Sequence, residues 1–109
     1  MVDITIHDEL GSNQYSESLN IEIDGQSKGD LIIESGARPE AKMTFSLNSG
    51  VHNFEIQGNT QALASDGSLQ QFPVVGKGDI TVSDEDSQSF DVVQAGVSGS
   101  TIIADLQES

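Results

Sequence analysis

Carboxylates are the side chains through which this sequence offers the most chemistry. Asp84, Glu85 and Asp86 stand together between two apolar segments, and Asp8 and Glu9 follow another such segment. Calcium takes roughly six to eight oxygen ligands from carboxylates and backbone carbonyls, and loops at strand ends supply both. These five residues are therefore the predicted ligands of a calcium site. The alternative is that the same acids cap backbone amides in turns and lie in solvent.

The two histidines, His7 and His52, are the only side chains whose ordinary pKa lies near neutrality. Beside a carboxylate, either one could ligate zinc or act as a general base. Neither stands at the spacing of a metal-binding motif, and no Gly-x-Ser-x-Gly sequence is present. A small hydrolase is therefore the least favoured function, and we predict a protein that is not an enzyme and requires no cofactor.

The charge balance excludes several classes of partner. The 109 residues hold 18 acidic against 4 basic side chains, for a formal net charge of −14. Nucleic acids and anionic membranes are polyanions that recruit lysine and arginine, so neither is an expected partner. The absence of cysteine excludes disulfides, thiolate zinc sites and cysteine catalysis. A high-salt habitat is a further explanation of the acidity, and it needs no ligand.

The length and the N-terminal sequence set expectations for domain count and location. A chain of 109 residues predicts a single domain, residues 1–109. Residues 1–6 contain an acid and no basic residue, which is unlike a signal peptide. No apolar run approaches the roughly 18 residues of a membrane span. We expect no membrane insertion and a cytoplasmic protein, or an extracellular one if a signal peptide has been removed.

Apolar and polar residues alternate along most of the chain, which is the period of a strand with one buried face. Val2, Ile4 and Ile6 form the first such series. The others lie at residues 19–23, 31–33, 43–47, 51–57, 60–63, 72–75, 80–82, 90–93 and 101–106. The pattern predicts an all-β protein of eight or nine strands, folded as two packed antiparallel sheets.

Turn-forming residues separate these segments. Asp24-Gly25 predicts one turn, and Asn48-Ser49-Gly50 predicts a tight hairpin between the strands at 43–47 and 51–57. Gly76-Lys77-Gly78-Asp79 and residues 83–88 and 95–100 are predicted to be further turns.

Part of the chain resembles small immunoglobulin-like sandwich domains of bacteria. The residues that carry the resemblance are Ile21-Glu22-Ile23-Asp24-Gly25 with Gly29, and the segment from Phe45 through Leu47-Asn48-Ser49-Gly50-Val51-His52 to Ile56. The segment is similar to PEGA-type surface domains, in which a strand ends in Asp-Gly and a later segment reads Leu-x-x-Gly-x-His. It is also similar to calcium-dependent xylan-binding modules. The proline signature and the Gly-Tyr of PEGA-type domains are missing. The resemblance implies an immunoglobulin-like β-sandwich of 7–9 strands and no particular function.

The favoured function is a non-catalytic binding or interaction module that holds its partner through end loops or a sheet edge. The alternative is a calcium-dependent module that binds carbohydrate or a cell surface. Tryptophan is absent, Tyr15 is the single tyrosine, and the four phenylalanines fall in apolar series, so an aromatic sugar platform is not expected. The expected partner is a protein or a polysaccharide, and the expected state is a monomer or a weak homodimer.

Overall fold

The computed structural model describes residues 1–10, 14–33, 41–63 and 66–108. Within these ranges the chain forms eight strands and no helix, so it has no helix able to cross a membrane. The strands are β1 (Val2–Asp8), β2 (Gln14–Ile23), β3 (Gln26–Ile33), β4 (Lys42–Leu47), β5 (Gly50–Leu63), β6 (Leu69–Val82), β7 (Ser87–Ser98) and β8 (Thr101–Glu108). The all-β prediction is confirmed. The side chain of Tyr15 lies outside the described part.

All eight strands belong to one nearly closed, barrel-like sheet in the order β3-β2-β5-β6-β8-β7-β1-β4. The sheet divides into a β5 layer (β3, β2, β5 and β6) and a β7 layer (β8, β7, β1 and β4). The layers are joined by two residue pairs between β6 and β8, and β3 lies beside β4 at the opposite seam. The pairs β1–β7 and β6–β8 run parallel. The strands therefore form one mixed sheet, whereas two packed antiparallel sheets were predicted, and the parallel pairs depart from the antiparallel pattern.

Successive strands run in opposite directions, so their connections collect at two ends of the molecule. The lower end holds the β2–β3 turn, the β4–β5 connection and the β6–β7 turn. The upper end holds the end of β1 and the β7–β8 turn. The molecule measures 48 × 28 × 21 Å, and its long axis matches the span of the 14-residue strands β5 and β6.

The alternating apolar residues point inward from both layers and form one core, as the pattern predicted. Its fully covered members come from six strands: Ile4, Ile6, Leu19, Ile21, Ile23, Leu31, Ile56, Val74 and Val92. Phe54 and Phe90 are buried as expected, and Phe45 is half-buried against the same core. The core therefore follows directly from the period-2 pattern.

The predicted turn at Gly76-Lys77-Gly78-Asp79 is wrong, because these residues lie inside β6. Glycine serves a different purpose at this position. A Cβ on Gly76 would lie 2.3 Å from the carbonyl oxygen of Ala104 in β8, and one on Gly58 would lie 2.0 Å from that of Ser18 in β2. Gly76 lets the backbones of β6 and β8 approach where the sheet folds over between its layers, and Gly58 lets those of β2 and β5 approach within the β5 layer.

The predicted hairpin at Asn48-Ser49-Gly50 is also wrong. Gly50 has the positive φ of 128° that a turn favours, but β4 pairs with β1 and β5 pairs with β2 and β6. The segment carries the chain from one layer to the other. The turn at Asp24-Gly25 is confirmed: Ile23 pairs with Gln26, and both turn residues have positive φ, 53° and 81°.

Several strands extend further than their apolar patterns, as β3 and β7 show. β3 begins at Gln26 directly after the turn, although its apolar residues begin only at Leu31. β7 continues to Ser98, so the turn predicted at residues 95–100 reduces to Gly99 and Ser100. Strand pairing thus continues into segments that carry little apolar pattern.

Candidate functional site

A depression of about 570 Å³ lies at the junction of the two layers, and we call it the β6–β8 groove. Its lining comes from β5, β6, β7 and β8: Glu55, Ile56, Gln57, Val75, Gly76, Lys77, Ala95, Ile103, Ala104 and Asp105. The groove exists because β6 and β8 pair over two residues and then separate into their own layers.

The upper boundary of the groove is the short parallel pairing of β6 with β8. Val74 pairs with Ile102, and Val75 pairs with Ile103. One residue later the backbones are still in contact, because Gly76 carries no side chain against Ala104. Beyond this point β6 stays with β5 and β8 stays with β7, so a gap opens between them.

Further down, outside the groove lining, the side chain of Gln88 connects β6 with β8 and is only 5% exposed. Its Nε2 donates to the carbonyl of Thr81 in β6 at 3.1 Å and to Oε2 of Glu108 in β8 at 3.0 Å. Its Oε1 accepts a hydrogen bond from the amide of Ser83 at 2.9 Å. One side-chain amide therefore bridges the two strands where their backbones are too far apart to pair.

Between the pairing of Val75 with Ile103 and the hydrogen bond from Gln88 to Thr81, β6 presents an unpaired backbone edge. Asn53 donates its amide to Asp24 Oδ1 at 3.1 Å and accepts at its carbonyl from the Asp24 amide at 2.9 Å. Its backbone groups thus face away from β6. Its partner across the β5–β6 ladder is Asp79, which belongs to a non-hydrogen-bonded pair and faces away from β5. Lys77, two residues earlier, faces the same way.

The backbone of β8 on the other side of the gap is partly capped. The amide of Leu106 donates to Oδ1 of Asp105 at 2.9 Å, although Asp105 is its own neighbour in sequence. A strand amide that bonds to an adjacent side chain has no strand partner on that side. Among the described residues, no other strand pairs with β6 past Val75 on this edge.

Acidic groups outnumber cations around the groove. Glu55 and Asp105 line it together with a single cation, Lys77. A shallower depression of about 400 Å³ shares Glu55 and Lys77 and continues to Asn53 and Asp79. Val75, which is 41% exposed, adds an apolar surface beside these charges. The combined surface offers carboxylates, an apolar floor and free backbone groups side by side.

The structure separates the predicted calcium ligands into two groups. Asp84, Glu85 and Asp86 lie exposed in the β6–β7 turn at the lower end, where the Asp3 amide donates to the Asp86 carbonyl. Asp8 and Glu9 lie at the upper end of β1. The seven residues of β1 span about 20 Å, so the two groups are too far apart to share an ion. In the described part of the chain, no three histidine or carboxylate side chains form a group that could hold a metal.

Asp8 is the most perturbed of these acids. Its Oδ1 accepts a hydrogen bond from the Leu10 amide at 3.1 Å, whereas its Oδ2 is buried and has no hydrogen-bond partner in the described part of the chain. Burial raises the pKa of Asp8 to about 6, and the negative charge of Glu9 acts in the same direction. The ionised form of Asp8 therefore lowers the free energy of unfolding at neutral pH.

His52 joins the two connections at the lower end of the β5 layer. Its Nδ1 donates to Oδ2 of Asp24 at 2.6 Å, and its Nε2 donates to the carbonyl of Asn48 at 2.7 Å. Both partners accept, so both ring nitrogens carry a proton. The bond to Asp24 is the main cause that raises the pKa of His52, and the same bond lowers the pKa of Asp24. His52 thus connects the β2–β3 turn to the β4–β5 connection.

His7 lies on the outer face of β1, where its Nδ1 is 3.7 Å from Oδ1 of Asp91 in the neighbouring β7. Neither His7 nor His52 lines the β6–β8 groove. The structure therefore places both histidines outside the β6–β8 groove.

Three buried polar residues were not predicted, although the sequence contains the signal for them. Gln88 is in phase with Phe90 along β7, and Glu17 and Thr60 likewise occupy inward positions of β2 and β5, where they pair with each other. Glu17 is 3% exposed and Thr60 4%. A polar residue in phase with buried neighbours is a candidate for a structural bridge, which is the role of Gln88.

Comparisons of the chain with protein-family models, with curated proteins and with solved structures found no match.

Proposed function

We propose that the protein is a non-catalytic binding module and that the β6–β8 groove holds its partner. The observation that supports this most is the unpaired edge of β6 next to an apolar floor. Unpaired edges in sheets are normally covered or blocked, because they recruit other strands. Here the edge is short, concave and bounded at both ends, which suits recognition of a ligand better than open-ended association.

We also propose that the fold is an immunoglobulin-like β-sandwich in which the β5 and β7 layers are the two sheets. Two features support this assignment. Only two residue pairs connect the layers at β6 and β8, and buried residues of both layers meet in one core. The groove would then lie at one open side of the sandwich.

Chemical-shift mapping of the isotope-labelled protein tests the proposed site without knowledge of the natural partner. The probes are a capped hexapeptide of alternating lysine and valine, the same peptide with glutamate for lysine, and xylohexaose. Shifts concentrated at Val75, Lys77, Asp79, Ala104 and Asp105 with any probe support a binding groove. Shifts confined to other surfaces, or no shifts with all three probes, count against it.

A calcium-dependent mode of binding carbohydrate is the second candidate. The observation that favours it is the buried Oδ2 of Asp8, which has no hydrogen-bond partner in the described part of the chain and lies near the charge of Glu9. A cation at the end of β1 would give this oxygen a ligand and would offset the repulsion between the two carboxylates. Millimolar calcium would then raise the melting temperature more than sodium chloride of equal ionic strength. Equal shifts in the two salts would remove this candidate.

A further inference from the structure

We propose that the groove's partner is an extended segment of another polypeptide that carries basic side chains, and that this segment adds to the free edge of β6 as a short strand. The inference rests on the proposed function and specifies its ligand class. Three independent features of the described residues select this class, namely the backbone edge, the apolar floor and the charges.

The backbone edge selects an extended peptide. Lys77 and Asp79 direct their amides and carbonyls into the gap, at the two-residue spacing of one strand face. Thr81, the next residue in this series, already gives its carbonyl to Gln88. About two residues of edge are thus free, and only another backbone in the extended conformation matches donors and acceptors at that period.

The floor selects small aliphatic contacts rather than sugar stacking. Val75 and Ala95 are exposed, Ile103 is half-buried, and no aromatic side chain lines the groove. Sugars that bind to sheet surfaces depend on aromatic faces or on a bound ion. A peptide strand instead places alternate side chains toward the floor, where the aliphatic stem of a lysine or arginine would cover Val75.

The charges select basic side chains at the positions that face the floor, because Val75, Lys77 and Asp79 lie two residues apart on one face of β6. Glu55, Asp79 and Asp105 surround one cation, Lys77, and the whole chain carries −14. This field attracts a cationic segment and repels an acidic one. A second copy of this chain is a poor occupant, because it brings the same large negative charge to the contact.

Variants of the groove acids distinguish local recognition from general attraction to an acidic protein. Glu55→Gln together with Asp105→Asn removes two groove charges and keeps both hydrogen-bond acceptors. Asp84→Asn together with Glu85→Gln removes the same charge from the exposed β6–β7 turn, outside the groove lining. The probe is the lysine–valine hexapeptide, and the readout is its Kd and its chemical-shift map at constant salt.

The groove variant is expected to bind the hexapeptide at least about fivefold more weakly, whereas the turn variant changes binding by less than about twofold. The amides of Lys77 and Asp79 should shift with the basic peptide and not with its glutamate counterpart. Equal loss in both variants would show general charge attraction and overturn the inference. Groove shifts with xylohexaose alone would preserve the proposed function but overturn the peptide as its ligand.

Discussion

Substituting Gly76 by alanine perturbs the point where the two layers touch. The new Cβ would lie 2.3 Å from the carbonyl oxygen of Ala104 and 3.0 Å from its carbonyl carbon. Both atoms belong to the backbone, so no side chain can rotate away. The strands must instead separate by about 1 Å, which disturbs the neighbouring pairing of Val75 with Ile103.

The expected cost of the Gly76→Ala change is about 1–3 kcal/mol, the usual range for overpacking. A domain of this size loses about 4–8 °C of melting temperature for each kcal/mol, so the midpoint should fall by about 5–20 °C. Thermal unfolding followed by far-ultraviolet circular dichroism measures this shift, and urea unfolding gives the free energy independently.

Gly96→Ala is the matched control. Gly96 also lies in a strand, its φ is not positive, and a Cβ there would meet no atom within 4 Å. This change should leave stability unchanged or raise it by about 0.4–1 kcal/mol, because alanine restricts the unfolded chain. If Gly76→Ala were as stable as Gly96→Ala, the close approach of β6 to β8 would be refuted.

Three further predictions concern polar residues. Gln88→Leu leaves the Thr81 carbonyl without its bridge and should lower stability by about 1–3 kcal/mol in urea unfolding; an unchanged midpoint would contradict the bridge. Because the folded state raises the pKa of His52 above its ordinary value of 6.5, its stabilisation is complete below that value and is lost as pH rises through the folded pKa. His52→Gln should therefore flatten the stability profile near and above neutrality, and an unaltered profile would count against the contact with Asp24. Asp8→Asn should stabilise the protein above pH 6 by up to about 3 kcal/mol, because the folded state raises the pKa of Asp8 from 3.8 to about 6. The gain should disappear below pH 4, where Asp8 is protonated in both states. Equal gains above pH 6 and below pH 4 would show that the raised pKa of Asp8 is not the cause.

The alternating pattern was sufficient to predict the all-β class and the core, because both depend on local sequence, but it divided β6 into two strands. Ile4, Leu19 and Val92 are buried for the reason that the pattern gives. Glycine was misleading, since the sequence around Gly76 is equally consistent with a turn and with a close backbone approach. The difference depends on Ala104, which lies far away in the sequence.

The five predicted calcium ligands lie in two separate groups for a similar reason. Asp8 and Asp86 are both adjacent to strand ends, and sequence alone does not show which ends lie together. Parallel pairing of β1 with β7 places Asp3 beside Ser87 and Asp8 beside Val92. Asp86 precedes Ser87, so it lies at the opposite end of β1 from Asp8. The groove could not have been predicted either, because it arises from the short contact between β6 and β8, which are distant in sequence. The inward position of Gln88 could have been predicted, because Gln88 lies two residues before the buried Phe90.

Native-state hydrogen exchange of individual backbone amides tests the free edge of β6 most directly. The amides of Lys77 and Asp79 should exchange rapidly, whereas those of Gly78 and Ile80, which face β5, should be protected. Such an alternating pattern would establish that the edge is open to a partner strand. Equal protection of all four amides would show that β6 is paired on both sides and would contradict the groove as a binding site.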